Sequence, residues 1–273
     1  MTISQCLFFK YGEVNFFDEF GIINCKVDSS GLFNETFLST RTIKEQQIRG
    51  HAPYFQGIER QNLSFSLTFA FNDSWSKDKL RDLSRMLDSD YYKPMVFYNS
   101  LIPTGDETIY FAMMESASQI IHDGNKNGYI TLQVKTNAPY GFSPVYLTPN
   151  TTIYEYFFSP WQPTPIPINI PFINDGDVSI KPIIIVKTFI RDFSIINLNN
   201  AGQKLKFTGL TPNETIEICC ENETIISDIS DITYRFNNMS QDSTFLEMVR
   251  GVNTLQCLGN FELQIKYEMK YLT

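Results

Sequence analysis

From Leu63 to Phe71, the side chains Leu63, Phe65, Leu67, Phe69 and Phe71 alternate with Ser64, Ser66, Thr68 and Ala70. A period of two with one greasy and one polar face is the signature of a strand that covers a core on one side only. Directly afterwards the period changes. Leu80, Leu83 and Leu87 fall at i, i+3 and i+7, with Lys77, Lys79, Arg81, Asp82 and Arg85 between them, which predicts a short amphipathic helix over about 76–88 lying on a sheet. Ser74 or Ser76 is placed to cap it, and Met95 to Tyr98 returns to strand. No glycine-rich phosphate loop joins these pieces, so strand, surface helix and strand read as scaffold before nucleotide site.

The remainder of the first half carries shorter signals. Leu7 to Phe9 and Gly21 to Val27 are strand candidates separated by a turn near Asp18 and Glu19. Ile109 and Phe111 alternate with Tyr110 and Ala112, and the segment HDGNKNG before YITLQVKT is a hairpin signal. Between them, Asp28 to Arg60 has polar runs and glycines at 31, 50 and 57. With too few periodic apolar residues for a helix or central strand, it reads as an irregular or hairpin excursion, the kind of long insertion that usually binds something.

Pro139, Pro144, Pro149, Pro160, Pro163, Pro165, Pro167 and Pro171 then punctuate an aromatic-rich span. Proline donates no ladder hydrogen bond, so this span cannot supply a sheet interior. It places a domain boundary near Gly141, giving domains of 1–140 and 141–273, the second led in by the proline-rich segment. Beyond it, turn signals at Asn174–Asp177, Asn199–Gly202 and Thr211–Glu214 separate KPIIIVKTF, FSIINL, KLKFTGL and ETIEICC. In the last strand Phe261, Leu263, Ile265, Tyr267, Met269 and Tyr271 alternate with polar residues. Short strands at this spacing without a helical stretch predict a β-sandwich. A length of 273 residues, 42% hydrophobic, with 23 Phe and 14 Tyr, supports two mainly β domains with full cores.

No constellation of enzyme chemistry stands out in the sequence. His51 and His122 are the two histidines, each alone among turn-forming residues, so neither a zinc site nor a Ser-His-Asp site has motif support. Cys6, Cys25, Cys219, Cys220 and Cys257 show no C-x-x-C spacing and read as small buried hydrophobes, with Cys219 and Cys220 on opposite faces. Asp228 with Asp231, or Glu221 with Glu223, read as solvated turn and edge charges, and Asn174–Asp177 reads as a tight turn because it lacks the spaced ligands of a calcium loop. Asn-x-Ser/Thr triplets at Asn34, Asn62, Asn150, Asn213 and Asn222 reflect composition, since no secretory leader precedes them. No catalytic residue, metal or cofactor is expected.

A formal net charge of −8 and a pI near 4.9 argue against a tight phosphate-backbone binder. No apolar run reaches the ~20 residues of a membrane helix, and the chain is expected to be made in the cytoplasm and to be soluble, with no membrane insertion. Tyr154, Tyr156 and Trp161 are able to stack on sugars, although packing among their apolar neighbours is favoured.

On three stretches the chain resembles the distal tail protein (Dit) family of long-tailed phages infecting Gram-positive bacteria. These are Gly57–Phe71 with the following helix, YKPMVFYNS and TIYFAMMES; then NDGDVSIKPIIIV; then LEMVRGVNTLQCLGNFELQIKYEMKYL, with its Gly-x-Asn turn and closing strand. The resemblance implies an N-terminal β-sandwich-like domain with one short α-helix that forms a homo-hexameric ring. An extended excursion, here Asp28 to Arg60, would embrace the adjacent subunit, which makes Phe37, Ile43, Gln47, Arg49 and Tyr54 the candidate contact residues. It further implies a C-terminal galectin-like β-sandwich over 141–273 as a docking platform. Expected partners are the tail tube protein, the tail-associated tip protein and the receptor-binding or baseplate proteins, with DNA only in transit through the channel. The place of action would be the virion, at the tail tip. The chain is too short for the inserted domain of sugar-binding members, yet a carbohydrate-binding module for host cell-wall glycans stands as the alternative function.

Overall fold

A computed structural model describes residues 6–27, 41–72, 74–102, 104–117, 120–122, 124, 128–154, 156–159, 162–229 and 235–272. The chain divides into two compact units, Met1–Pro144 with Tyr271–Thr273, and Val145–Lys270. Both are built from antiparallel sheet.

The first unit contains β1 (Phe8–Tyr11), β2 (Val14–Asn15), α1 (Phe16–Phe20), β3 (Ile22–Val27), β4 (Arg41–Gln46), β5 (Tyr54–Arg60) and β6 (Ser64–Phe71). After these come α2 (Lys77–Leu87), β7 (Lys93–Tyr98), β8 (Ile109–Ala117), β9 (Ile121–His122), β10 (Gly128–Thr136) and β11 (Gly141–Phe142). Its main sheet runs β2-β1-β7-β8-β10-β6-β3. The alternation in β6 does what its period demands: Leu67, Phe69 and Phe71 are buried while the intervening residues face outward, where Ser66 bonds Gln133 and Thr68 bonds Thr131 of β10. Phe69 packs with Phe9, which stacks on Phe16 at 4.5 Å.

Helix α2 begins where expected, with Ser76 Oγ accepting the Lys79 N–H at 3.1 Å, and it buries Leu83 and Leu87. The turn expected near Asp18 and Glu19 is instead α1. Asn15 caps it by accepting the Phe17 N–H, and Gly21 ends it at φ +62, a left-handed conformation that glycine adopts without a Cβ penalty. Five residues are too few for a 3.6-residue period to show in sequence.

The second unit contains β12 (Tyr146–Leu147), β13 (Thr151–Ile153), β14 (Tyr156–Ser159), β15 (Gln162–Ile166), β16 (Ile168–Asn174) and β17 (Ile183–Asn197). Then follow β18 (Gln203–Phe207), β19 (Thr215–Cys219), β20 (Thr224–Ser227) and β21 (Gly251–Tyr267); the closing strand β22 (Lys270–Tyr271) leads into the first unit's terminal piece Tyr271–Thr273, within whose main sheet system it pairs with β11. Strand β21 is the spine: β12, β13 and β16 pair with it on one side and β17 on the other. Its strict alternation buries Leu255, Cys257, Phe261, Leu263 and Ile265.

One expectation needs correction here. KPIIIVKTF and FSIINL are not separate short strands but the two arms of the single strand β17, joined through a register shift between Thr188 and Phe193. The facing residue is Gly259, at φ +122, where an added Cβ would lie 2.8 Å from the Asp192 carbonyl oxygen. Glycine is therefore what lets β21 pass the bend. The proline-dense span, as expected, supplies no sheet interior among the described residues: its strands there are β16, an edge strand paired with β21, and the β14–β15 pair, positions where proline's missing N–H is tolerated.

Buried polar groups of the second unit are matched pairwise. Asn174, Asn197 and Asn253 are fully buried. Asn197 Nδ2 donates to Asn253 Oδ1 at 2.9 Å, and Asn253 in turn accepts the Val249 N–H and donates to the Val249 carbonyl. This is the structural content of the Gly-x-Asn segment: Gly251 takes φ +86 at the start of β21 and Asn253 ties the preceding Val249 to it. Asn174 Oδ1 accepts the Gly176 N–H, so Asn174–Asp177 is the tight turn its composition predicts. Glu214 and Arg235 form a buried two-pronged ion pair at 2.6 and 2.8 Å. The Ser227 hydroxyl and the Thr211 N–H also donate to Glu214. Burial by itself would raise the Glu214 carboxyl, but these donors, led by Arg235, outweigh it and hold the group below the ordinary glutamate value.

Cys6, Cys220 and Cys257 are buried, Cys219 is half-buried, and the Cys25 side chain lies outside the described residues. Glu221, Glu223 and Asp228 are exposed, and Asp231 lies outside the described residues. No helix among the described residues is long and apolar enough to cross a membrane.

Candidate subunit-contact hairpin

Strands β4 and β5 pair with each other and with nothing else among the described residues. Their sequence explains the hairpin. Gly50 at φ +82 turns the tip and Pro53 leads into β5, whose Tyr54, Phe55 and Ile58 are strand formers. The register shifts between Lys44 and Glu45, leaving Gln56 as the extra residue beside Gly57 at φ +149, a bulge of the kind that redirects side chains. Gln56 closes it by donating to Gln46 Oε1 at 3.1 Å.

Cross-strand partners share a face, so the register sorts the side chains. One face carries Thr42, Lys44, Gln46, Tyr54 and Glu59, with Lys44 and Glu59 2.8 Å apart. The other carries Arg41 and Arg60 at the base, then Ile43 opposite Ile58, then Glu45 opposite Phe55. Ile43, Phe55 and Ile58 are 54%, 62% and 44% exposed. The hairpin is thus amphipathic with its apolar face uncovered. Two strands alone are marginal in water, and an apolar stripe of this kind marks a contact surface. Arg60 Nε adds to the unfinished chemistry, being shielded from solvent without an acceptor among the described residues. A buried donor left in that state costs about 1–3 kcal/mol.

Of the contact residues expected from sequence, Ile43 lies on the apolar face. Tyr54, 69% exposed, lies on the polar face. Gln47 and Arg49 are exposed at the tip, and Phe37 lies outside the described residues. Phe55 and Ile58 were missed by sequence reasoning because the bulge breaks the period-two pattern that would have flagged them. Among the residues expected to stack on sugars, Tyr154 is 53% exposed. Tyr156 is placed in β14 by its backbone alone, and Trp161 lies outside the described residues. Nothing described brings the three onto one platform. His122 is exposed, with its ring edge-on to Trp75 at 5.7 Å, and among the described residues no three His, Cys, Asp or Glu side chains gather as metal ligands.

Comparisons with known proteins match the chain in successive segments. The family model of a phage tail protein N-terminal domain matches residues 4–138, and that of the siphovirus-type tail component C-terminal domain matches residues 175–271. The SPbeta prophage-derived protein YomH of Bacillus subtilis (strain 168) is 26% identical over 272 residues, spanning 99% of this chain and 100% of the relative. Among solved structures, SPP1 Dit (gp 19.1), described as a paradigm of the hub adsorption apparatus in phages infecting Gram-positive bacteria, superposes with a TM-score of 0.68 at 13% identity. That superposition covers 96% of this chain and 98% of the other. A chain of the phage P2 baseplate in its activated conformation is similar at a TM-score of 0.44 and 9% identity, over 89% of this chain and 90% of its own.

Proposed function

We propose, from the premise that this chain belongs to the Dit-like phage tail proteins, that it is the hub of a tail tip or baseplate. Six copies form a ring that joins the tail tube protein to the tail-associated tip protein and the receptor-binding or baseplate proteins, and the ring leaves a channel for DNA during ejection. The role is structural, exerted in the virion, and requires no cofactor. The observation that carries self-assembly is the β4–β5 hairpin: a two-stranded sheet whose apolar face, Ile43, Phe55 and Ile58, is left exposed among the described residues. A second copy supplies the missing cover. The two sheet systems give such a hub one unit for ring contacts and another for docking, which fits the separate family models for the two parts of the chain.

Native mass spectrometry of the purified chain tests this reading, the expected species being six chains. A single chain at every concentration, retained on host cell wall, would favour the carbohydrate-binding module instead.

A further inference from the structure

Helix α2 does not seal against the sheet beneath it. Between Leu80, Leu83 and Leu87 on the helix and Met114, Ile130 and Leu132 on β8 and β10 lies a groove of about 430 Å³, toward the lower end of the range for ligand pockets. Its floor is apolar: Leu83, Leu87, Ile130 and Leu132 are buried, and Leu80 and Met114 are half-buried. Among the described residues its charged lining is two exposed carboxylates, Asp88 and Glu115, accompanied by the exposed Ser84 and Ser116.

These carboxylates are unanswered from within the described chain. Neither has an ion-pair partner among the described residues. The cations nearest in sequence are engaged elsewhere: Arg85 with Asp82 at 3.4 Å, Lys93 Nζ donating to the Met86 carbonyl at 3.5 Å, and Lys79 over the Phe71 ring at 5.4 Å. Asp88 is also the C-cap of α2, where the helix dipole already presents negative charge and a carboxylate is the unfavourable choice. A local preference broken in this way marks a site whose compensation comes from outside the fold.

We infer that the α2 groove binds an extended apolar and basic peptide segment of a protein other than this chain, with its apolar side chains on the floor and a lysine or arginine at Asp88 and Glu115. This site does not depend on the ring proposed above. One ammonium or guanidinium answers both carboxylates and the helix end together, and in an extended segment every second side chain points the same way, so apolar and basic groups reach floor and rim from one strand. A second copy is a poor complement. The chain carries −8, and its uncovered hairpin face sets Glu45 opposite Phe55, which would bring a third carboxylate to the rim.

A fluorescein-labelled octapeptide with leucine, a photo-reactive phenylalanine analogue and lysine at every second position tests the site on the full-length protein. The expected result is saturable binding below about 1 mM, with cross-links mapping to peptides that contain residues 80–88, 114–116 or 130–132. Asp88→Asn combined with Glu115→Gln is expected to weaken binding about fivefold, the scale of partly exposed charge pairs, and glutamate in place of the peptide's lysine to weaken it at least as much. Ser84→Trp, at an exposed helix position, is expected to fill the groove and remove the cross-link while the thermal midpoint is kept. Failure to saturate, cross-links to other residues, a glutamate peptide bound as tightly as the lysine one, or a Ser84→Trp variant that binds undiminished overturns the site. Dodecylammonium binding in the groove while the peptide leaves no cross-link there would assign it to a small amphiphile. A Ser84→Trp variant whose native mass falls, again without a peptide cross-link to the parent, would assign it to a second copy. Either result overturns the peptide as occupant.

Discussion

Glu214 and Arg235 are the charged pair that the second unit takes out of water, and they show how far its stability depends on a few atoms. The Glu214 side chain is fully buried, and its charge is tolerable only because Arg235, Ser227 and the Thr211 N–H all donate to it. Glu214→Gln strands the Arg235 charge and is expected to cost about 3–5 kcal/mol in denaturant unfolding. The pH dependence follows from the depressed carboxyl. Its stabilisation is complete above the ordinary glutamate value of 4.5 and is lost as pH falls through the lower folded value. The stability gap between the parent and Glu214→Gln should therefore narrow as pH drops below that value, and a gap constant with pH would contradict the assignment. The cysteines give a second readout. Burial pushes the Cys220 and Cys257 thiols up to about 12, so a thiol reagent at pH 8 should leave both unmodified until the protein unfolds, while half-buried Cys219 reacts earlier.

Among the elements, the hairpin and strand β6 represent opposite cases of the same residue types. Phe69 of β6 is fully enclosed, and Phe69→Ala should destabilise the chain by about 3–5 kcal/mol through the cavity it leaves. Phe55 of β5 is mostly open to solvent. Replacing Ile43, Phe55 and Ile58 together with serine should leave the unfolding free energy of the single chain within about 0.5 kcal/mol, while native mass spectrometry shows loss of assembly. A triple variant that unfolds the first unit would mean that the face is covered from within. Helix α2 depends on local chemistry as well as packing: losing the Ser76 cap by Ser76→Ala should cost about 1 kcal/mol, read as a shift of the denaturant midpoint.

For the whole molecule, each unit has its own apolar core, one centred on Phe9, Phe69 and Met95 and the other on Phe207, Phe261 and Leu263. Each is large enough to fold cooperatively. Calorimetry should resolve two transitions, and a substitution confined to one core, such as Phe69→Ala, should lower only one of them. Net charge acts at this scale too. Each copy brings −8, and in the proposed ring such a balance would disfavour adhesion of phosphates in transit. The purified protein should retain no DNA in a gel-shift assay even at low salt, where phosphate contacts are strongest; salt-sensitive binding at submicromolar protein would count against the channel.

What the sequence determined was local and periodic. The alternation of Leu63–Phe71 and Phe261–Tyr267 commits those stretches to half-buried strands, and the leucines at 80, 83 and 87 commit theirs to a helix lying on a sheet. In each case the side-chain period and the need to bury one face leave no other solution. Resemblance of longer stretches then reached the family. Tertiary structure alone decided the rest. Whether KPIIIVKTF and FSIINL are two strands or one depends on Gly259 of a distant segment passing the bend. Which side of the excursion is apolar depends on a one-residue bulge at Gln56 that inverts the face of everything beyond it. The Glu214–Arg235 pair and the asparagine ties join residues far apart in the chain, and no local pattern encodes a hydrogen bond whose partner is supplied by folding.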